Sequence, residues 1–272
     1  MNKLTVIIAV KNHETLIREC VESCRAIADE ILIADSGATD TTVEIARRLS
    51  DGWCEFTVHA RDYVTACDFK NWAISKAQHP WVLIVDVDER LTERLATEIR
   101  EQLARDAGYD GYRVLRHNYF LGHRVRFSGW GGDRVIRLFR RDDFRYPNNG
   151  ADHGEFETNE RRIGRLRYPM KHYARRSYNE QLEKWNRYSA LQAEQWYQEG
   201  RRPSYLQLLF RPPLRFVRAF FIYGGFLDGK VGVQLAYLAA YYAFMKQARL
   251  WERWHGTDHE VDGESRSPRK AA

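Results

Sequence analysis

Leu83-Ile-Val-Asp86-Val-Asp88-Glu-Arg90 joins an apolar run to two carboxylates in a single step, and that junction decides the fold. Residues 81–85 are apolar without interruption, as in a strand buried on both faces of a parallel sheet. Ligands of open α/β sheets collect beyond the carboxyl ends of such strands, where Asp86 and Asp88 stand. Working outward, Leu4–Val10 is a second run of this kind, ended by Lys11-Asn12-His13-Glu14. Residues 30–34 read as the next strand, stopped by Asp35-Ser36-Gly37, and 55–59 as another. Between them apolar positions recur at helical spacing: Leu16, Ile17, Cys20, Val21, Cys24, Ile27 and Ala28, then Val43, Ala46 and Leu49 within 42–49. Helices over 68–77 and 93–103 follow, the latter turning Leu95, Ile99 and Leu103 inward. Repeated β-α units with short connections predict an α/β protein with a mostly parallel, doubly wound sheet flanked by helices.

The rhythm changes after Gly111. Residues 111–117 and Arg134–Arg140 read as strands around a Gly/aromatic loop, and 141–165 as a polar, turn-rich loop. Ser177-x-x-Glu180 has the form of a capping box. It opens a helix that turns Leu182, Trp185, Tyr188 and Ala193 or Trp196 inward. Pro203, Pro212 and Pro213 punctuate the entry to an aromatic-rich segment. These shifts divide the chain into a catalytic domain over 1–175, with halves of about 1–105 and 106–175, and a helical extension over 176–254. The small, polar and charged residues 255–272 read as a disordered tail.

The net charge of +6 invites a nucleic-acid partner. The excess, however, is concentrated in residues 201–254, which carry seven Arg and two Lys against Asp228 and Glu252. Cations among Phe, Tyr and Trp suit an anionic membrane surface, and no nucleic-acid motif accompanies them. The same aromatics equally suit packing on the catalytic domain or on a second subunit. The four cysteines show no zinc spacing and read as buried thiols of a reducing compartment. Leu4–Val10 lacks a cleavage site, and no run reaches the roughly 20 apolar residues of a spanning helix. The expected location is cytoplasmic, peripheral on the cytoplasmic face of the inner membrane.

Read alone, the D-x-D triplet suits a hard divalent cation that shares its remaining positions with a diphosphate. It equally suits the start of the following helix. Its company narrows the choice. Val6-Ile-Ile-Ala-Val-Lys-Asn12, Ile31-Leu-Ile-Ala-Asp35-Ser-Gly-Ala-Thr-Asp40-Thr-Thr and the D-x-D run, in that order, resemble family 2 glycosyltransferases. The resemblance is to the branch containing lipopolysaccharide-core β-glucosyltransferases. Trp130-Gly-Gly, Arg137-Leu-Phe-Arg-Arg141, Lys184-Trp-Asn-Arg-Tyr188 and Gly225-Phe-Leu-Asp-Gly229 are similar to that branch as well.

The resemblance implies a GT-A fold and inverting transfer of a sugar from a nucleotide-sugar donor, UDP-hexose by default, to a glycan or glycolipid acceptor. It implies that Asp35 contacts the nucleobase, that Asp86 and Asp88 hold Mg2+ or Mn2+, and that Val10, Asn12, Asp35, Lys70, Asp86 and Arg137 form the donor site. His13 interrupts the branch's Lys-Asn-Glu. Asp152-His153-Gly154-Glu155 stands where the branch carries His-Glu, which leaves Glu155 first and Asp152 second as the base. Arg137, Arg140 and Arg141 are of a type that pairs with a diphosphate, or they mark a solvated strand face. Trp130 suits a sugar ring or the core.

The alternative to an enzyme is a non-catalytic nucleotide-binding or scaffold protein of the same fold, which would have no use for an intact D-x-D. A sugar-1-phosphate nucleotidylyltransferase would carry a Gly-rich loop after the first strand, where this chain has Lys11-Asn12-His13-Glu14.

Overall fold

A computed structural model of the chain describes residues 2–50, 52–105, 107–147, 156, 161–175 and 177–256. They form two compact units, divided between residues 176 and 177. Asp152, Glu155 and the tail from 257 onward lie outside the described residues.

In the first unit, β1 (Leu4–Val10), β2 (Glu30–Asp35), β3 (Glu55–Ala60) and β4 (Trp81–Asp86) run parallel in the order β3-β2-β1-β4. Helices α1 (Ile17–Cys24), α2 (Thr42–Arg48) and α3 (Ala66–Lys76) connect them, and α4 (Glu93–Arg105) follows β4. Leu4, Val6 and Ile8 pack with Cys20, Val21, Leu95 and Ile99 on one face of the sheet. Ile7, Leu32, Val82 and Ile84 pack with Phe69, Ala73 and Ile74 on the other. Burial on both faces is why β1, β2 and β4 show continuous apolar runs, whereas β3, at the sheet edge, is only half-buried. Cys20, Cys24 and Cys67 are buried in these two cores, Cys54 is half-buried, and all four are free thiols.

Beyond β4 the sheet becomes mixed. β8 (Arg134–Arg140) adds antiparallel to β4, and β6 (Gly111–Phe120) antiparallel to β8. β9 (Ile163–Arg175) lies parallel to β6, β5 (Glu89–Arg90) pairs antiparallel with β9, and β7 (His123–Arg124) folds back on β6. Among the described residues this makes nine strands.

One alternative reading is set aside here and one sequence expectation is corrected. Glu89-Arg90 is a short strand; Thr92 performs the cap of α4, its Oγ1 accepting from Leu95 N at 3.3 Å. The stretch from Ile163 is a strand and not part of a loop. Its arginines conceal it: Arg165 and Arg167 face out while Leu166 and Met170 are buried. Pro169 conceals it further, because proline breaks a ladder unless it sits at a bulge. It does so here: β6 Arg113 and Leu115 pair with Arg165 and Pro169, two residues against four.

The second unit is helical: α5 (Tyr178–Gln198), α6 (Tyr205–Val217) and α7 (Gly229–His255), with a π-helical turn over Arg218–Ile222 and a 3-10 turn over Gly225–Asp228. Ser177 Oγ accepts from Glu180 N at 3.2 Å, as the capping-box spacing predicts. Trp185 stacks on Tyr242 with ring centroids 5.3 Å apart. Pro212 and Pro213 do not end α6; they lie inside it. Each removes one N–H from the helix ladder, and the carbonyls left without a donor belong to the half-buried Leu208 and the exposed Leu209. The α6–α7 break falls at Gly224, φ 66°, and Gly225, against whose carbonyl Gly232 packs too closely to admit a Cβ.

Candidate active site

The parallel strands end together, and their exits build the site. Val10 lies opposite Asp35, and Ala9 opposite Asp86. Asp35 and Asp86 therefore stand two strand spacings apart, about 10 Å, on one edge. Asn12, at φ 52°, turns back so that its Oδ1 accepts from Thr39 N at 2.7 Å. Next to it, Thr42 Oγ1 accepts from His13 N and Glu14 Oε2 from Thr41 Oγ1, both at 2.7 Å. The exits of β1 and β2 are thus stitched into one wall. Within it, Asp35 Oδ1 accepts from Gly37 N and Ala38 N at 3.0 and 2.8 Å. That turn needs φ 93° at residue 37, which glycine supplies without strain. The carboxylate is fixed by one oxygen; the other has no protein partner among the described residues.

Asp86 is surrounded by cations. Lys70 of α3 places Nζ 3.2 Å from Oδ1, and Arg137 of β8 donates through Nη2 to Oδ2. The same Nη2 donates to Glu89 Oε1 at 2.6 Å, and Glu89 Oε2 accepts from Asp86 N at 3.0 Å. Burial alone would raise the Asp86 carboxyl, but Arg137 and Lys70 outweigh it and hold the group well below the usual carboxylate range. Burial works against the Lys70 ammonium too, yet Asp86 and Tyr146 raise it. The fully buried Glu89 anchors the D-x-D turn from behind.

Asp88 faces His172, which β9 brings opposite Glu89 in the ladder. His172 Nε2 is 3.6 Å from Asp88 Oδ2, and its Nδ1 is 2.6 Å from Asn118 Oδ1. The Asn118 amide donates through Nδ2 to Trp130 O and Asp133 Oδ2, so its Oδ1 can only accept. His172 Nδ1 must then carry a proton, and Nε2 is the nitrogen that looks at Asp88. A bare nitrogen lone pair facing a carboxylate is repulsive unless a proton or a metal cation lies between them. Burial raises the Asp88 carboxyl, and the His172 contact more than reverses this, leaving it lowered.

The two aspartates are also joined around the back. Arg137 and Arg116 share Glu89; Arg116 Nη2 binds Asp133 at 2.7 Å; Asp133 holds Asn118; and Asn118 orients His172. The loop supplying Asp133 and the Trp130 carbonyl depends on Gly131, where a Cβ would fall 2.0 Å from Arg126 O.

Among the described residues no group of three or more His, Cys, Asp and Glu gathers to hold a metal unaided. Asp88 and His172 nevertheless fit one divalent ion. Their 3.6 Å separation is less than twice a metal–ligand bond of about 2.1 Å, and a diphosphate and water would complete an octahedral shell. Asp86 is committed to Lys70 and Arg137.

Of Arg137, Arg140 and Arg141, only Arg137 lies with the D-x-D, and it is 4% exposed. Arg140 sits over the Trp81 ring at 4.9 Å, and Arg141 pairs with Asp142 and donates to Ala77 O. Trp130 lies edge to face with Phe120, at 6.1 Å between centroids. The stretch after β8 is held by Asn71 of α3, which exchanges two hydrogen bonds with the Tyr146 backbone at 3.0 and 2.8 Å. The Tyr146 ring faces Lys70 at 5.7 Å and packs on Phe156 at 4.1 Å. Phe156 directly follows Glu155 in the chain. His172, Asn118, Glu89, Arg116 and Asp133 were not readable as site residues, because only the pairing of β5, β6 and β9 gathers them.

Residues 5–166 match the family model described as Glycosyl transferase family 2. The chain is 32% identical over 251 residues to the lipopolysaccharide core biosynthesis glycosyltransferase LpsC of Rhizobium meliloti, covering 92% of each protein. It is 27% identical to an uncharacterized glycosyltransferase of Rickettsia bellii, over 92% of this chain and 86% of that one. Among solved structures it is similar to the mannosyltransferase PcManGT from Pyrobaculum calidifontis, in complex with GDP-Man and Mn2+. There the TM-score is 0.50 at 13% identity, over 94% of this chain and 88% of that chain, a likeness of fold.

Proposed function

Because this chain belongs to glycosyl transferase family 2, we propose that it moves a hexose from a nucleotide-sugar donor to a cell-envelope glycan or glycolipid, with inversion at the anomeric carbon. The observation that carries the reading is the convergence of Asp35, Asp86 and Asp88 on one sheet edge, with Lys70 and His172 beside them. Near end-to-end similarity to LpsC favours lipopolysaccharide core as the acceptor. UDP-hexose is the default donor.

The roles follow from the environments. Val10, Asn12 and Asp35 line the wall that receives the nucleoside, with Asp35 on the base. Lys70 and Arg137 keep Asp86 ionised and oriented toward the donor. Asp88 and His172 hold Mg2+ or Mn2+, as the Mn2+ in the PcManGT complex suggests. When bound, such an ion offsets charge on the departing nucleoside diphosphate. The acceptor oxygen attacks the anomeric carbon as a base takes its proton, and the bond from that carbon to the diphosphate breaks on the opposite side. Glu155 is assigned as the base, with Asp152 as its rival. In its favour, Glu155 directly precedes Phe156, whose ring lies on Tyr146 beside Lys70.

Two substitutions separate these roles. Asp35→Ala should raise the donor KM more than it lowers kcat, since a contact to the base changes little between ground and transition states. Calorimetry with nucleoside diphosphates checks it, and unchanged affinity alongside a fallen kcat would remove Asp35 from the donor site. Glu155→Gln should lower kcat by about 10²–10⁴-fold with donor binding intact, the usual worth of a positioned base. A dead Asp152→Asn beside an active Glu155→Gln reverses the assignment.

A further inference from the structure

We infer that the outer face of α6 and of the π turn after it is a docking surface for an anionic phospholipid bilayer, on which the chain lies without crossing. Leu206, Phe210, Leu214, Val217 and Phe221 form one stripe at steps of three and four residues, and Ile222 adjoins its end. Their exposures run from 43% at Val217 to 71% at Ile222. The other side of the helix is already satisfied, with Phe216 packed on Tyr237 and Phe220 at 4.7 and 5.6 Å. An apolar stripe of this length in water marks a surface meant to be covered.

Charge identifies what covers it. Arg211, Arg215 and Arg218 flank the stripe, all exposed, and no acidic residue occurs from Arg201 to Leu227. Among the described residues no carboxylate pairs with these three arginines. Lys246 is pushed down by burial and then by Arg215 and Arg211, as expected of a cation in a cluster without a counter-charge. A second copy of the chain would bring the same cations against themselves in a two-fold interface, which like-charge repulsion opposes. A nucleic acid would leave the aliphatic side chains unrewarded. A bilayer rich in anionic headgroups answers both features, apolar atoms below and phosphates beside the guanidinium groups. Among the described residues no helix is long and apolar enough to cross a membrane, so contact is in the plane of the surface.

The inference does not rest on the transfer reaction, which a soluble acceptor assays separately. The full chain is floated with phosphatidylcholine vesicles, with and without phosphatidylglycerol. Binding should require the anionic lipid and weaken as salt is raised. An Arg211→Gln, Arg215→Gln, Arg218→Gln variant should lose partitioning roughly 10²-fold, at about fivefold per cation near the surface. These side chains are exposed, so circular dichroism should show an unchanged fold; if it does not, the salt titration of the wild-type chain carries the test. Three results overturn the inference. One is wild-type protein that stays unbound with anionic vesicles at low salt. Another is a solution dimer that Leu206→Ser with Phe210→Ser turns into a monomer while neither form binds vesicles. The third is binding that survives carbonate extraction.

Discussion

Asp88→Asn should abolish transfer, with a loss on the order of 10³-fold in kcat, while leaving the protein folded. The carboxylate is about 30% exposed, so its loss opens no cavity. Its structural contact, the backbone carbonyl that accepts from Tyr173 N at 2.9 Å, is untouched. What disappears is the charge opposite His172 Nε2, and with it one of the two donors the protein offers a divalent ion. The deficit should persist at saturating donor and be relieved only partly by excess Mn2+. A variant that turns over at the wild-type rate in excess EDTA would remove the metal from the account.

The largest effect on stability is expected at Glu89. Glu89→Ala should cost about 3–5 kcal/mol, the usual consequence of taking one partner from a buried ion pair. Its carboxylate is fully buried and accepts from Arg137, from Arg116 and from the Asp86 backbone N–H. Alanine would leave two guanidinium groups short of a partner and the D-x-D turn without its anchor. Stability and activity should therefore fall together, unlike at Asp88. Urea unfolding of the two variants measures the contrast, and a loss at Glu89 below about 1 kcal/mol would mean that the network is not what holds the turn. Acid should loosen the same region. Asp86 and Asp88 are both held below their unfolded values, so their stabilisation is complete above about pH 4 and is lost as pH falls through the folded values.

The sequence makes one half of this site readable and hides the other for a physical reason. Asp35 and Asp86 end uninterrupted apolar runs, and parallel strands of a doubly wound sheet place such ends on one edge, so local pattern alone brings them together. Lys70 and Arg137 came from family resemblance, and the structure sets both against Asp86. His172 and Asn118 carry no local signal. They meet Asp88 only because β9 pairs with β5 and β6, and β9 itself is masked by outward-facing arginines and by Pro169 at a bulge. Glu89 shows how the alternative reading arises. A charged residue in a polar triplet suggests a helix cap, whereas here its charge is buried and balanced by two arginines drawn from distant strands. In the helical unit, passage of α6 through Pro212-Pro213 was not legible, because the local cost of proline is limited where the carbonyls it frees are half-buried or exposed, as at Leu208 and Leu209.

The most direct test of the account is release of nucleoside diphosphate from a panel of UDP-, GDP-, ADP- and dTDP-sugars, with lipopolysaccharide core preparations as acceptor, in Mn2+ and in EDTA. The account predicts release from one nucleotide class, dependent on both acceptor and divalent cation, and absent in Asp88→Asn. Should no donor turn over, and no nucleoside diphosphate bind even with Mn2+ present, the chain would keep the fold of a glycosyltransferase without its reaction.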